Sequence, residues 1–149
     1  GTAALCSMRA GYETGSFSLA MLNEAVDSRA ALAARTDNSP ADYSCYTTSV
    51  LDNVPPFVLT GSIDAAGASL NDVFKLQYNG SSQLIGENGA GPIGTGTFEN
   101  APIYIGGILG ATLFFNGNLY PLVIAGALYD ANTVAKANAW TAKKTGVTL

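Results

Sequence analysis

The sequence predicts an all-β domain, and three observations support this class. Residues 16–22 and 72–80 alternate in side-chain character with a period of two, as expected for half-buried strands. Residues 43–50 are rich in Tyr, Thr and Val, which favour strands. The 17 glycines and 6 prolines indicate many turns, and 149 residues are enough for a single domain with its own core.

Two further strands and three loops follow from the local composition. Residues 57–64 and 103–108 have the apolar content of short strands, whereas residues 36–42, 65–71 and the Gly-rich stretch 87–102 have the composition of loops. Within 72–80, the alternation places Phe74, Leu76 and Tyr78 on the core face. Asn79 and Gly80 then predict a tight hairpin turn into the next strand.

The segment 23–35 is ambiguous from its residues alone. Its Ala, Glu, Leu and Arg content favours a helix. The same residues also alternate, with Ala30, Leu32 and Ala34 on one face and the arginines on the other. Local sequence therefore leaves helix and strand equally supported.

A long uncharged segment, residues 100–129, raises the question of a membrane span. It is long enough to cross a bilayer, but prolines, asparagines and five glycines interrupt it, so a continuous apolar helix is a poor description. Asn116 and Gly117 lie between two apolar runs, which predicts a turn between strands at 112–115 and 118–126. Pro121 indicates an edge, a bulge or a strand end in the second of them.

One helix is predicted, over residues 131–144. Asp130 is a favourable N-cap, Lys143 and Lys144 lie in the last turn, and Gly146 stands where a C-terminal glycine is expected. Trp140, the only tryptophan, is expected to anchor the helix on a sheet. Residues 147–149 could add a last short strand.

Composition excludes several classes of function. The chain carries 7 Lys and Arg against 11 Asp and Glu, so it lacks the clustered cations that bind nucleic acid. It contains no histidine, the commonest general base and zinc ligand. Cys6 and Cys45 suit either two buried apolar positions or one disulfide. Only 12% of residues are charged, which suits a protein that covers its surface by assembling.

The pattern over residues 57–146 resembles the concanavalin A-like lectin/glucanase fold, and more narrowly the laminin-G-like domains of bacteriophage tail and virion-surface proteins. The resemblance is carried by a strand that ends in an aromatic–Asn–Gly turn, an apolar strand, a helix N-cap, a helix that bears tryptophan, and a closing Lys-Thr-Gly. Here these are Phe115, Asn116, Gly117, residues 119–124, Asp130, Trp140 and residues 144–146.

The resemblance implies a jelly-roll β-sandwich of two antiparallel sheets with one C-terminal helix. It favours a strand at 28–35 and a single domain over residues 1–149. Domains of this family usually carry more strands before the position where this sequence begins. We therefore expect that N-terminal strands are missing or are supplied by another chain.

The chemistry implied by the resemblance is recognition rather than hydrolysis. The paired acids of the glucanases, Glu-x-Asp-x-x-Glu on one strand, do not occur here, so no enzyme activity is expected. Calcium is a candidate ligand of Asp64, Asn71 and Asp72, although the same residues are ordinary turn formers.

Carbohydrate would be bound by aromatic and amide side chains near loops. The candidates are Tyr43, Tyr46 and Asn88, and the alternative for each tyrosine is a structural role as a partly buried residue at a strand end.

The expected function is a non-enzymatic structural and carbohydrate-recognition module on a phage virion surface, in a tail fibre, a spike or a head decoration. The expected partners are other virion chains, including copies of this one, and a host-surface glycan; nucleic acid and membrane insertion are not expected. One alternative is a purely structural capsid or tail component, with the lectin fold as scaffold. Another is a glycan-degrading enzyme whose acids come from a neighbouring chain.

Overall fold

The computed structural model of the chain describes residues 2–8, 13–24, 27–39, 43–51, 56–89, 93–107, 114–116 and 118–149. It is mostly β, as the sequence predicts. In chain order the elements are β1 (Thr2–Met8), β2 (Ser16–Glu24), β3 (Asp27–Arg35), β4 (Tyr43–Thr47), β5 (Leu59–Ile63), α1 (Leu70–Val73), β6 (Phe74–Tyr78), β7 (Ser81–Ser82), β8 (Ile85–Gly89), β9 (Ile103–Ile105) and α2 (Ala131–Thr145).

The strands form two antiparallel sheets, an arrangement consistent with a β-sandwich. The larger sheet has the order β8-β4-β3-β2-β1-β9, and the smaller has the order β5-β6-β7. Strands β1 to β4 therefore lie side by side in chain order, as a meander. The N-terminal half of the chain builds the middle of the larger sheet, and β8 and β9 are its two edges.

Strand β3 resolves the ambiguous segment, and the strand predicted at 28–35 is confirmed. It lies between β2 and β4, and Leu32 is aligned with Leu19 on one side and with Cys45 on the other. Ala30 and Ala34 are fully buried on the same face as Leu32. Pairing on both edges and burial of this face outweigh the helix propensity of the alanines, which is only a fraction of a kcal/mol per residue.

The hairpin of β6 and β7 is also as predicted. Phe74 and Leu76 are 1% exposed, so the predicted face of β6 is the core face. Asn79 and Gly80 have φ angles of 48° and 76°, the left-handed conformations that a tight hairpin turn requires. The Asn79 side chain also accepts a hydrogen bond of 2.8 Å from the backbone N–H of Val58, which fixes the turn to the start of β5.

The smaller sheet packs over β3 and β4. The ring of Tyr43 on β4 meets that of Phe74 on β6 at a centroid distance of 5.4 Å. Leu32 on β3 fills the space beside Gly61 on β5, where a Cβ atom would lie 2.9 Å from the Leu32 Cδ2. Farther along the sheet, Met8 on β1 and Leu19 on β2 border an open trough.

Helix α2 is confirmed, with the predicted caps. The Asp130 carboxylate accepts a hydrogen bond of 2.7 Å from the Thr133 N–H, and this interaction lowers the pKa of Asp130. Gly146 has a φ of 76° and closes the helix. Residues 147–149 form no strand. The Val147 N–H instead bonds back to the Ala142 carbonyl at 3.1 Å.

The predicted role of Trp140 is wrong, because its side chain is 49% exposed. Asn138 and Ala142 are the buried residues of the helix, each 5% exposed. Asn138 accepts a 2.5 Å hydrogen bond from the Thr60 hydroxyl on β5 and donates a 2.8 Å hydrogen bond to the Gln77 side chain on β6. A polar group, and not the tryptophan, joins the helix to the smaller sheet.

The apolar strands predicted around Asn116 are wrong for the described residues. Residues 114–116 and 118–130 contain no strand, and residues 112–113 and Gly117 lie outside the described part of the chain. Phe115 is half-buried against the core, and its N–H donates to the Gly106 carbonyl at 3.0 Å. Asn116 is exposed. The apolar content of this segment therefore does not reflect a position between two sheets.

Candidate functional site

A broad trough lies between the larger sheet and the C-terminal third of the chain. Its volume is about 1970 Å³, and it is open to solvent. One wall consists of inner side chains of β1 and β2, among them Met8, Phe17 and Leu19. The rest of the lining comes from the smaller sheet, mainly residues 56–65, from the segment 118–129, which we call the strap, and from α2. The volume of the trough is larger than that of a typical small-molecule site, which is about 300–1,000 Å³.

Large apolar side chains remain exposed around this trough. The strap contributes seven of them, and β9 and Phe114 add three more, each with an exposed fraction between 41% and 63%. We call this set the apolar face. Its members are Ile103, Ile105, Phe114, Leu119, Tyr120, Leu122, Val123, Ile124, Leu128 and Tyr129.

The strap is held by few interactions. Among the described residues, none forms a backbone hydrogen bond with residues 118–129, and an added Cβ at Gly126 would meet nothing within 4 Å. Backbone N–H and C=O groups normally find partners, either in the protein or in water. The strap thus combines exposed side chains with a backbone that forms no hydrogen bond to the described part of the chain. The sequence signal for it is the uncharged segment 100–129.

The two cysteines are buried free thiols on the inner face of the larger sheet. They are the ends of one cross-strand row, Cys6–Leu19–Leu32–Cys45. Three strand spacings separate them, or about 14 Å, whereas a disulfide needs Cα atoms within about 7 Å. Burial raises the pKa of both thiols, that of Cys45 to about 11. The disulfide alternative is therefore wrong, and the apolar alternative holds.

Tyr43, predicted to bind carbohydrate, belongs to the core. Its side chain is 5% exposed and packs on Phe74. Burial raises the pKa of its hydroxyl, with smaller contributions from Glu87 and Cys45. A sugar ring cannot stack on a side chain in this position, so the structure removes Tyr43 from the predicted site.

Tyr46 is half-buried on the opposite, outer face of the larger sheet. Ser44 is aligned with Asn88, and Tyr46 with Gly86, so Asn88 lies two residues along β8 from the residue paired with Tyr46. The Arg29 guanidinium carbon lies 5.5 Å from the centre of the Tyr46 ring, within cation–π range. Asn88 was expected in a loop, but residues 87–89 belong to β8.

The predicted calcium ligands flank the loop between β5 and β6. Asp64 accepts a hydrogen bond of 3.0 Å from the Ala66 N–H, and Asp72 accepts one of 2.6 Å from the Ser69 hydroxyl. Asn71 is exposed in the single turn of α1. Both carboxylates thus act as turn formers, which was the alternative interpretation. In the described part of the chain, no three His, Cys, Asp or Glu residues are grouped as metal ligands.

Sequence reasoning missed a polar clasp that joins two distant loops. The Asp37 carboxylate accepts hydrogen bonds of 3.0 Å from both the N–H and the hydroxyl of Thr97. The Asn38 side-chain oxygen accepts a 2.8 Å hydrogen bond from the Gly96 N–H, and the Thr36 hydroxyl donates to the Ile93 carbonyl. A Cβ at Gly96 would overlap the Asp37 carboxylate. The clasp is a structural feature built from turn residues that the sequence placed in loops.

Comparisons with known proteins add no relative. No protein-family model, no curated protein and no solved structure matches the chain. Among the helices in the described ranges, none is long and apolar enough to cross a membrane.

Proposed function

We propose that the chain is a non-enzymatic structural module of a multi-chain assembly. The resemblance noted above points to a phage virion surface, in a tail fibre, spike or head decoration, and to jelly-roll connectivity. The observation that carries the proposal is the apolar face, because monomeric soluble proteins rarely leave so many large apolar side chains exposed in one place. A chain with 12% charged residues has few other means of keeping such a face in water.

The carboxylates of the described loops support a structural function. Asp37, Asp64, Asp72 and Asp130 each accept a hydrogen bond within a turn, a clasp or a helix cap. Carboxylates that accept these hydrogen bonds stabilise the local backbone conformation. A glycosidase instead needs two carboxyl groups that face each other across a substrate.

Two measurements test the assembly proposal. Light scattering coupled to size-exclusion chromatography gives the oligomeric state, and the dye anilinonaphthalene sulfonate reports exposed apolar surface. We expect either self-association or, for a monomer, strong dye binding at the apolar face. A monomer that binds no dye would refute the proposal, since its apolar surface would then be covered within the single chain.

Carbohydrate recognition is a second proposed activity, and the half-buried Tyr46 on the outer face, with Asn88 two residues along β8 from its paired residue Gly86, favours it. A glycan array with the wild-type chain and with Tyr46→Ala tests it. Tyr104→Ala is the matched control, because Tyr104 is a half-buried tyrosine on β9 at the opposite edge of the same sheet. We expect Tyr46→Ala to lose binding and Tyr104→Ala to keep it. Equal binding by all three proteins, or none, would remove the site.

A further inference from the structure

We infer that the partner of the apolar face is a second copy of this chain, related by a two-fold axis. This inference rests on the proposed assembly function and names the partner. Three observations support it: the area of the face, its lack of charge, and the position of β9 at the edge of the larger sheet.

The area is sufficient for a stable dimer. The face has ten large side chains, each about half exposed. With roughly 150–250 Å² for a large side chain, they offer on the order of 1,000 Å² of apolar surface. A standard interface buries about 800 Å² on each partner. The largest apolar patch on a typical monomer is about 300–600 Å².

The charge pattern suits self-association. A two-fold interface places the same patch on both sides, so any charge near the axis would meet its own copy. All ten residues of the face lie within the uncharged stretch 100–129, which Glu99 and Asp130 bracket. The charged residues that line the same trough, Asp64, Asp72, Lys75 and Glu99, lie outside the face, so contacts made by the ten side chains themselves bring no like charges together.

Strand β9 supplies an element that can pair with its own copy. It is an edge of the larger sheet, bonded to β1 on one side and to no other strand of the described residues. Ile103 and Ile105 of the face stand on it, 41% and 61% exposed. Two such edges can pair antiparallel across a two-fold axis, so that the two larger sheets become continuous and the isoleucines of the two copies become cross-strand neighbours on one face. The strap then packs beside this joint.

The test compares charged substitutions inside and outside the face. Val123→Asp and Ile105→Asp place a carboxylate at side chains that are 59% and 61% exposed, so the fold should tolerate them. Leu84→Asp is the matched control, because Leu84 is 79% exposed and outside the face. We expect a wild-type dimer by light scattering over a range of concentrations. The two face variants should raise its Kd by at least about 100-fold, and Leu84→Asp should leave it unchanged.

The other outcomes separate this inference from the proposed function. A dimer that the face variants leave intact, or a monomer that binds the dye, would overturn the two-fold inference and leave assembly with a different segment or chain as the function. A monomer that binds no dye would overturn both. Circular dichroism of each variant verifies that the fold persists, so a loss of association reports on the interface alone.

Discussion

Replacement of Asn138 by alanine tests how α2 is held on the smaller sheet. Asn138 is 5% exposed and forms one hydrogen bond with Thr60 and another with Gln77. It is the polar residue on the buried face of the helix. The other buried residue, Ala142, has a methyl side chain that can make only apolar contacts. Asn138→Ala removes both hydrogen bonds and changes neither the helix caps nor the strand pairing.

The expected loss follows from these two interactions. A hydrogen bond contributes a net of about 0.5–1.5 kcal/mol to stability. Thr60 and Gln77 are half-buried, so water can reach the groups that the substitution leaves unpaired. The full penalty of an unsatisfied buried group therefore does not apply. We expect the free energy of unfolding to fall by about 1–3 kcal/mol.

Urea unfolding followed by far-UV circular dichroism measures this loss. Asn132→Ala is the matched control, because Asn132 is an exposed asparagine of the same helix, and its effect should stay within about 0.5 kcal/mol. Adding Thr60→Val to Asn138→Ala should give a coupling energy of at least about 0.5 kcal/mol. Equal stability of the two alanine variants, or strict additivity in the cycle, would refute the polar anchor.

Three further predictions follow from the clasp, the thiols and the helix cap. Gly96→Ala should lower the free energy of unfolding by about 1–3 kcal/mol through overpacking, whereas Gly126→Ala, with open space around it, should have little effect in the same urea titration. Because Cys6 and Cys45 are free thiols, the chain should have the same intact mass before and after treatment with a reductant. Both thiols should react with iodoacetamide only after the chain is unfolded, and rapid labelling of the native protein would contradict their burial. Because hydrogen bonds lower the pKa of Asp130 below its ordinary 3.8, its stabilisation is complete above that value and is lost as the pH falls through the lower folded-state pKa. Asp130→Asn, which keeps a cap, should therefore show a smaller acid-induced fall in Tm than the wild type.

The sequence predicted the structure correctly where neighbouring residues alone determine the local backbone conformation. The alternation around Phe74 and Leu76 predicted a strand and its buried face. Asn79 and Gly80 predicted a turn that needs left-handed backbone, and Asp130 predicted the first turn of a helix. Each of these outcomes depends on a few neighbouring residues, so the sequence was informative there.

The buried face of α2 could not be predicted in the same way. The sequence suggested the apolar positions up to Trp140, whereas Asn138 and Ala142 face the sheet. An asparagine can be buried only because Thr60 and Gln77, about 78 and 61 residues away in the chain, supply its partners. Periodicity alone contains no information about such partners.

The strap shows a second limit of prediction from sequence. Its apolar and β-branched residues have the composition of a strand, yet a strand requires a neighbour to pair with. Leu119 to Ile124 have no such neighbour among the described residues, and their side chains stay exposed. Sequence can report that a segment is suited to pairing, but not whether its partner is in the same chain.

The candidate site was only partly predictable for a related reason. Tyr43 and Tyr46 are three positions apart, so they point to opposite faces of β4. The sequence placed both near a loop but could not say which face meets the smaller sheet. The backbone of Asn88 comes near β4 only because β4 pairs with β8, and this pairing joins positions more than forty residues apart, such as Ser44 and Asn88.

The short strand β9 also has a kinetic consequence. Its three residue pairs with β1 join positions almost one hundred residues apart, such as Cys6 and Ile105. The meander of β1 to β4 closes through short connections and should form early, whereas closure of so long a loop is costly in entropy and should come late. Amide protons of β9 should consequently exchange with solvent sooner than those of β2 and β3. A newly made chain would thus complete most of its larger sheet before its final edge is in place.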